Sequence, residues 1–162
     1  SHDVQWAILG TGDPRYEKQL AELAELYPTK IGAKLAFSEG VAHRIEAGCD
    51  MFLMPSRYEP CGLNQLYSLK YGSVPVVHTT GGLADTVIDT TPKSLAEDKA
   101  NGFCFPEYDQ KELEKTLTRA VETYLHQPEK WAQIVESGMR MDWSWSQSAS
   151  RYLQVYGDTM ER

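Results

Sequence analysis

No stretch of the 162 residues approaches the ~20 consecutive apolar positions needed to span a bilayer. Ser1-His2 runs straight into a strand-like pattern and has none of the features of a signal peptide. Neither a membrane partner nor a leader is expected. Cysteine is scarce and odd in number. Cys49, Cys61 and Cys104 include no C-x-x-C pair, which argues against a disulfide framework or structural zinc and for a reducing, intracellular setting. The four histidines and three cysteines show no ligand spacing, so no metal is expected. Basic residues are outnumbered, 16 against 23 acidic ones for a net charge of −7, and they are scattered, which speaks against nucleic acid as a partner. An acidic chain can still capture a phosphate, because the local field of a cleft decides. There is no internal repeat or low-complexity tract, and no G-x-S-x-G context surrounds Ser56. Gly10-Thr11-Gly12 lacks the third glycine of a dinucleotide fingerprint and its acidic residue about 20 positions on, leaving a tight strand-to-helix turn as the expectation.

What is present is ordinary globular chemistry, 41% hydrophobic and 24% charged, of a length that fits one domain over residues 1–162. The apolar pattern alternates between strand and helix periods. Residues 4–9 are strand-like, and Asp13-Pro14 then starts a helix with Tyr16, Leu20, Leu23, Ala24 and Tyr27 on one face. Residues 31–37 read as a strand, Ser38-Glu39-Gly40 as a helix start, 50–54 as a strand, 62–71 as a helix and 74–78 as a strand. The acidic, turn-rich stretch 89–102 has no clear period and is expected to be a surface loop. Residues 102–105 form a last short strand. A helix starts at Asp109 and Glu112, another follows Pro128, and a final one follows Trp143-Ser144-Trp145-Ser146. Residues 129–162 are expected to pack at the domain edge. The fold class is α/β: a Rossmann-like parallel sheet with helices on both faces and ligands at the carboxyl ends of its strands.

The chemistry concentrates in Pro55-Ser56-Arg57-Tyr58-Glu59-Pro60-Cys61-Gly62-Leu63-Asn64-Gln65-Leu66-Tyr67, a strand–loop–helix passage. Unpaired N–H groups and a partial charge of roughly +0.5 at a helix start can hold a phosphate, and Gly62 allows close backbone approach. Pro60 biases Glu59 towards an extended backbone, so its carboxylate projects from the loop. Cys61 is either a thiol activated by the helix terminus or a small buried hydrophobe. Tyr58 and Tyr67 are expected to pack at the helix entry. Gly81-Gly82 forms a second glycine-rich turn at the same edge, a second candidate phosphate cradle. Phe37 ends a strand at that edge, where a ring can stack on a planar base. His43 and Arg44 sit mid-helix, and for His43 a structural role competes with a catalytic one.

These residues carry a family resemblance. The 55–67 passage, Lys70-Tyr71-Gly72, Thr80-Gly81-Gly82-Leu83-Ala84-Asp85-Thr86-Val87, Leu9-Gly10-Thr11-Gly12-Asp13-Pro14 and Ala42-His43-Arg44-Ile45 closely resemble bacterial glycogen synthases and plant starch synthases. The match covers nearly the whole chain. It implies the carboxyl-terminal, donor-binding half of a retaining glycosyltransferase of the GT-B fold, which moves glucose from ADP-glucose to the non-reducing end of an α-1,4-glucan without a metal. It makes Glu59 the acidic residue beside the donor glucose. Cys61, Gly62, Leu63 and Asn64 with Gly81 and Gly82 would contact the donor, and Phe37 would stack on adenine. The acidic residue that related families carry eight positions after the first is Tyr67 here, as in these synthases. The resemblance also implies that the diphosphate-binding Arg-x-x-x-x-Lys, the Lys-x-Gly-Gly element and a further His lie in preceding polypeptide, so that the glucan acceptor is met through an amino-terminal domain. The location implied is cytoplasmic for a bacterial protein and the plastid stroma for a plant one. Two alternatives stay open: a GT-B transferase using UDP-glucose, and a nucleotide- or glucan-binding module without activity.

Overall fold

A computed structural model describes residues 3–160. Ser1-His2, on which the reading of no leader partly rests, and residues 161–162 lie outside the described part. In chain order the elements are β1 (Trp6–Leu9), α1 (Pro14–Leu26), β2 (Ile31–Lys34), α2 (Glu39–Gly48), β3 (Met51–Met54), α3 (Asn64–Tyr71), β4 (Val74–His78), α4 (Gly81–Thr86), α5 (Pro92–Ala96), β5 (Phe103–Phe105), α6 (Gln110–His126), α7 (Pro128–Arg140) and α8 (Trp145–Met160). Asp13 caps α1 by accepting from Arg15 N, with Pro14 in the first turn. Asp109 caps α6 by accepting from Lys111 N and Glu112 N.

All strand pairs are parallel, as the alternation required, but the described strands form two sheets where one was expected: β1-β2, and β3-β4-β5. No ladder joins β1 to β3. Between them lies a cavity of about 1520 Å³, bordered by Trp6 and Ile8 of β1, Met51 and Leu53 of β3, and Leu117 and Val121 of α6. The split follows from this gap, since strands must lie within ~4.9 Å to share a ladder.

β4 is the centre of the fold. Every residue of it is buried, and its alternation sorts the core onto two faces. Val74 and Val76 meet Phe103, Ala120 and Ile134 on one side, and Val77 meets Met54, Leu83 and Val87 on the other. Burying each large aliphatic or aromatic side chain contributes roughly 1.5–3 kcal/mol. Pro75 is tolerated within this central strand because β5 pairs only from Val76 onward.

One expectation needs correction. Residues 89–102 are not a plain surface loop. They hold α5, whose Thr91 and Ser94 exchange the reciprocal bonds of a capping box. Asn101, fully buried, accepts from Ile88 N at 2.6 Å and donates to Thr86 O at 3.1 Å. Polar bonds order this stretch, so no apolar period announced it. Within 129–162 the two helices differ. α7 is a core element, with Ile134 fully buried and Gly138 pressed against Leu69, whereas α8 has no buried residue and leaves Trp145, Leu153 and Met160 exposed.

Candidate functional site

Residues 55–63 leave the carboxyl end of β3 without regular structure and enter α3 at Asn64. Gly62 lies ahead of the helix rather than at its first residue, with φ +70°, a left-handed conformation that favours glycine. Leu63 stands at the cap position and makes no side-chain capping bond.

The loop is fixed from within. His78, at the end of β4 and 8% exposed, has its Nδ1 2.9 Å from Ser56 O. A carbonyl only accepts, so the ring proton resides on Nδ1. The ring is braced by Phe105 and Tyr108, each with centroids 5.4 Å away. Gly82 N donates to Glu59 O at 3.0 Å and to Pro60 O at 3.2 Å. Gln65, fully buried, donates through Nε2 to Cys61 O at 3.1 Å and Gly62 O at 3.2 Å. Sequence reasoning overlooked Gln65, His78 and Thr86. Only their proximity to the glycine turns could have drawn attention to them.

The two glycine-rich passages are one packed unit. A Cβ on Gly81 would lie 2.0 Å from Glu59 O, and one on Gly82 would lie 1.9 Å from Cys61 O. The expected second phosphate cradle is therefore narrowed: the buried Gly82 has already committed its N–H to the loop. Gly81 opens α4 at φ +45° and is exposed.

The remaining candidates fall as follows. Glu59 is half-buried, and Leu63 and Asn64 are exposed. Cys61 is exposed, which excludes its reading as a small buried hydrophobe. Tyr58 is 70% exposed and Tyr67 41%, so Tyr58 does not pack at the helix entry. β2 ends at Lys34, which puts Phe37 in the following loop instead of the strand, 90% exposed. Phe37, the Glu59 loop and Gly81-Gly82 follow the carboxyl ends of β2, β3 and β4 respectively.

His43 lies on α2 against Tyr67 (5.4 Å between centroids) and Tyr71 (6.2 Å) of α3. Its Nδ1 is buried without a hydrogen bond, 3.4 Å from Oε2 of Glu46. Glu46 is 2% exposed, and burial pushes its carboxyl above the usual range, partly offset by His43. Among the described residues no group of three or more His, Cys, Asp or Glu side chains is arranged to hold a metal ion, and no helix is long and apolar enough to cross a membrane.

Residues 1–139 match the family described as Glycosyl transferases group 1. The chain belongs to this family. Group 1 membership agrees with the motif resemblance, and the relatives sharpen it. The chain is 51% identical to a glycogen synthase of Rhodopirellula baltica over 97% of its own length and 31% of the relative's. It is 50% identical to one of Desulforudis audaxviator over 99% and 31%. The group 1 chain thus spans about a third of the length of these relatives. Among solved structures, the catalytic domain of Starch Synthase IV from Arabidopsis thaliana bound to ADP and acarbose superposes with TM-score 0.84 at 32% identity, covering 98% of this chain and 33% of that one. HepE of Anabaena in complex with UDP-glucose superposes at 0.63 and 18% identity, over 86% of this chain and 36% of that one, a likeness of fold alone. The parallel sheets flanked by helices are those of a GT-B glycosyltransferase domain.

Proposed function

We propose that this chain is the donor-binding portion of a glycogen or starch synthase, a retaining transferase that moves glucose from ADP-glucose to the non-reducing end of an α-1,4-glucan. The observation that carries the proposal is identity of about 50% with glycogen synthases over nearly the whole chain, the Glu59 loop included. The starch synthase neighbour, which holds ADP, supports a nucleotide donor. The bond from the glucosyl carbon to the diphosphate oxygen breaks with its electron pair going to ADP, the oxygen of a glucan hydroxyl bonds to that carbon, and the hydroxyl proton passes to the departing ADP or to water. N–H groups at the loop would stabilise that leaving group as oxyanion-hole donors do, by a few kcal/mol each. Glu59 would hold sugar hydroxyls and favour the cationic ring. Phe37 would stack on the adenine. No metal is assigned a role. The acceptor glucan would be bound by the remainder of the longer polypeptide, in the cytoplasm if the protein is bacterial and in the plastid stroma if it is of plant type.

Initial rates of glycogen extension by the full-length protein, with ADP-glucose and UDP-glucose compared at equal concentration, test the proposal. Preference for ADP-glucose is expected. Preference for UDP-glucose would turn the reading to another GT-B transferase, and no transfer from either would leave a binding module.

A further inference from the structure

Five backbone carbonyls between Ser56 and Gly62 are held by hydrogen bonds from His78, Gly82 and Gln65. His78 takes Ser56 O, Gly82 N takes Glu59 O and Pro60 O, and Gln65 takes Cys61 O and Gly62 O. In a trans peptide the carbonyl of one residue and the N–H of the next point in opposite directions, and no cis peptide occurs among the described residues. Carbonyls of Pro60, Cys61 and Gly62 aimed inward therefore aim the N–H groups of Cys61, Gly62 and Leu63 outward, a run of three donors at the mouth of the loop.

We propose that Gln65 is the positioning residue of this run: its buried amide sets the orientation of the Cys61–Gly62 and Gly62–Leu63 peptides and locks them to α4. The lock runs through Thr86. Gln65 Nε2 reaches Thr86 Oγ1 at 3.2 Å, and Thr86 Oγ1 donates to Gly82 O at 2.6 Å. The proton count closes, since the hydroxyl has one hydrogen to give and accepts from the amide, while two N–H hydrogens of Gln65 are shared among three acceptors. The amide cannot be reversed, because Oε1 would then face two carbonyls. As it stands, Oε1 is buried with no hydrogen-bond partner. A Cβ on Gly62 would lie 2.4 Å from that oxygen, so only a glycine fits over the amide. Neither Gln65 nor Thr86 need touch the donor for this, and the role rests on the function proposed above.

Gln65→Met, which keeps the length and removes the donors, tests the proposal in the full-length protein. Hydrogen exchange at Gly82, whose N–H is held by the loop carbonyls, is expected to rise at least ~10-fold in the nucleotide-free variant while Val76 and Val77 of β4 keep their wild-type protection. With ADP-glucose, kcat is expected to fall ~10²-fold with KM changed less than about threefold, because misdirected donors matter most where leaving-group charge develops. Thr86→Ser, which retains the hydroxyl, should keep wild-type exchange at Gly82, and Thr86→Val should resemble Gln65→Met. Unchanged exchange at Gly82, or equal rises at Gly82 and β4, would overturn the proposal, as would an unchanged kcat. If the wild-type protein transfers glucose from neither nucleotide sugar, the functional reading falls while exchange at Gly82 still decides the role of Gln65.

Discussion

Glu59 and Phe37 are the two candidate side chains with the most distinct expected signatures. Glu59→Gln in the full-length protein removes a charge while keeping the shape of the half-buried side chain. Turnover is expected to fall at least ~10²-fold with ADP affinity within a few-fold, since the charge acts chiefly in the transition state. A matching loss of ADP affinity would make it a binding residue. Phe37→Ala is expected to weaken ADP binding by ~1–3 kcal/mol in calorimetric titration if the 90% exposed ring stacks on a base. The loop around Glu59 was legible because Pro55, Pro60 and Gly62 mark it, whereas Phe37 was expected at a strand end. Glu46 was not legible, since nothing in an i, i+3 pair with His43 reveals that the carboxylate is buried. Its folded-state affinity for a proton exceeds that of the unfolded chain, so between the ordinary glutamate value of ~4.3 and its raised one the folded form binds more protons. The stability this supplies is complete below the ordinary value and is lost as pH rises through the raised one. Glu46→Gln should therefore be more resistant to urea than wild type at pH 8 and lose that advantage at pH 4.

At the scale of elements, the order of the strands and of the long helices was legible, because each long element has an apolar face of one period, whereas the short helices α4 and α5 were not. Boundaries slipped where other forces decide them. The run 31–37 is apolar enough for a strand, but pairing with β1 ends at Lys34, and Phe37 is released into the loop. Segment 89–102 was misread because its order comes from Thr91, Ser94, Asp89 and Asn101. Asp89 accepts from Cys104 N at 2.8 Å and pairs with Arg119, and burial, aided by the Asp89 charge, pushes the Cys104 thiol up to about 12. The Gly81-Gly82 turn follows the carboxyl end of β4 as expected, but its packing against the Glu59 loop was not legible, since a glycine needed for close backbone packing and one needed for ligand approach look alike in sequence. Packing makes a prediction of its own. Gly82→Ala puts a methyl 1.9 Å from Cys61 O, against backbone that cannot yield without undocking the loop. A loss of ~1–3 kcal/mol is expected in urea unfolding. Gly48→Ala on α2, where nothing lies within 4 Å, should stay within ~0.5 kcal/mol of wild type.

The whole molecule has a centre around β4 and open ground elsewhere. β1 and β3 each pair on one side only among the described strands, with the 1520 Å³ cavity between them, and the apolar side chains of α8 are uncovered. Alternating periods predict strands and helices but not whether two of those strands will touch, which is why the division into two sheets was not legible. The isolated chain is nonetheless expected to fold, because the β3-β4-β5 sheet with α3, α4, α6 and α7 closes two buried clusters by itself. It should bind ADP only weakly. The outward amides and Phe37 are present, but the Arg and Lys that the resemblance places in preceding polypeptide are not, and each charge-assisted phosphate contact is typically worth ~1.5–3 kcal/mol. Loss of two costs about 3–6 kcal/mol, enough to move a micromolar site to roughly 0.1–20 mM. Transfer should be absent. Without the polypeptide that makes up the other two thirds of the relatives there is no opposing wall to orient a glucan or exclude water, and orientation supplies ~7–11 kcal/mol in a well-aligned reaction. Titration of the chain with ADP by NMR, alongside a radiolabelled ADP-glucose assay on glycogen, tests both statements: millimolar shifts at residues 61–64 with no label incorporated are expected, and either micromolar affinity or clear glucan extension would show that the missing two thirds are dispensable.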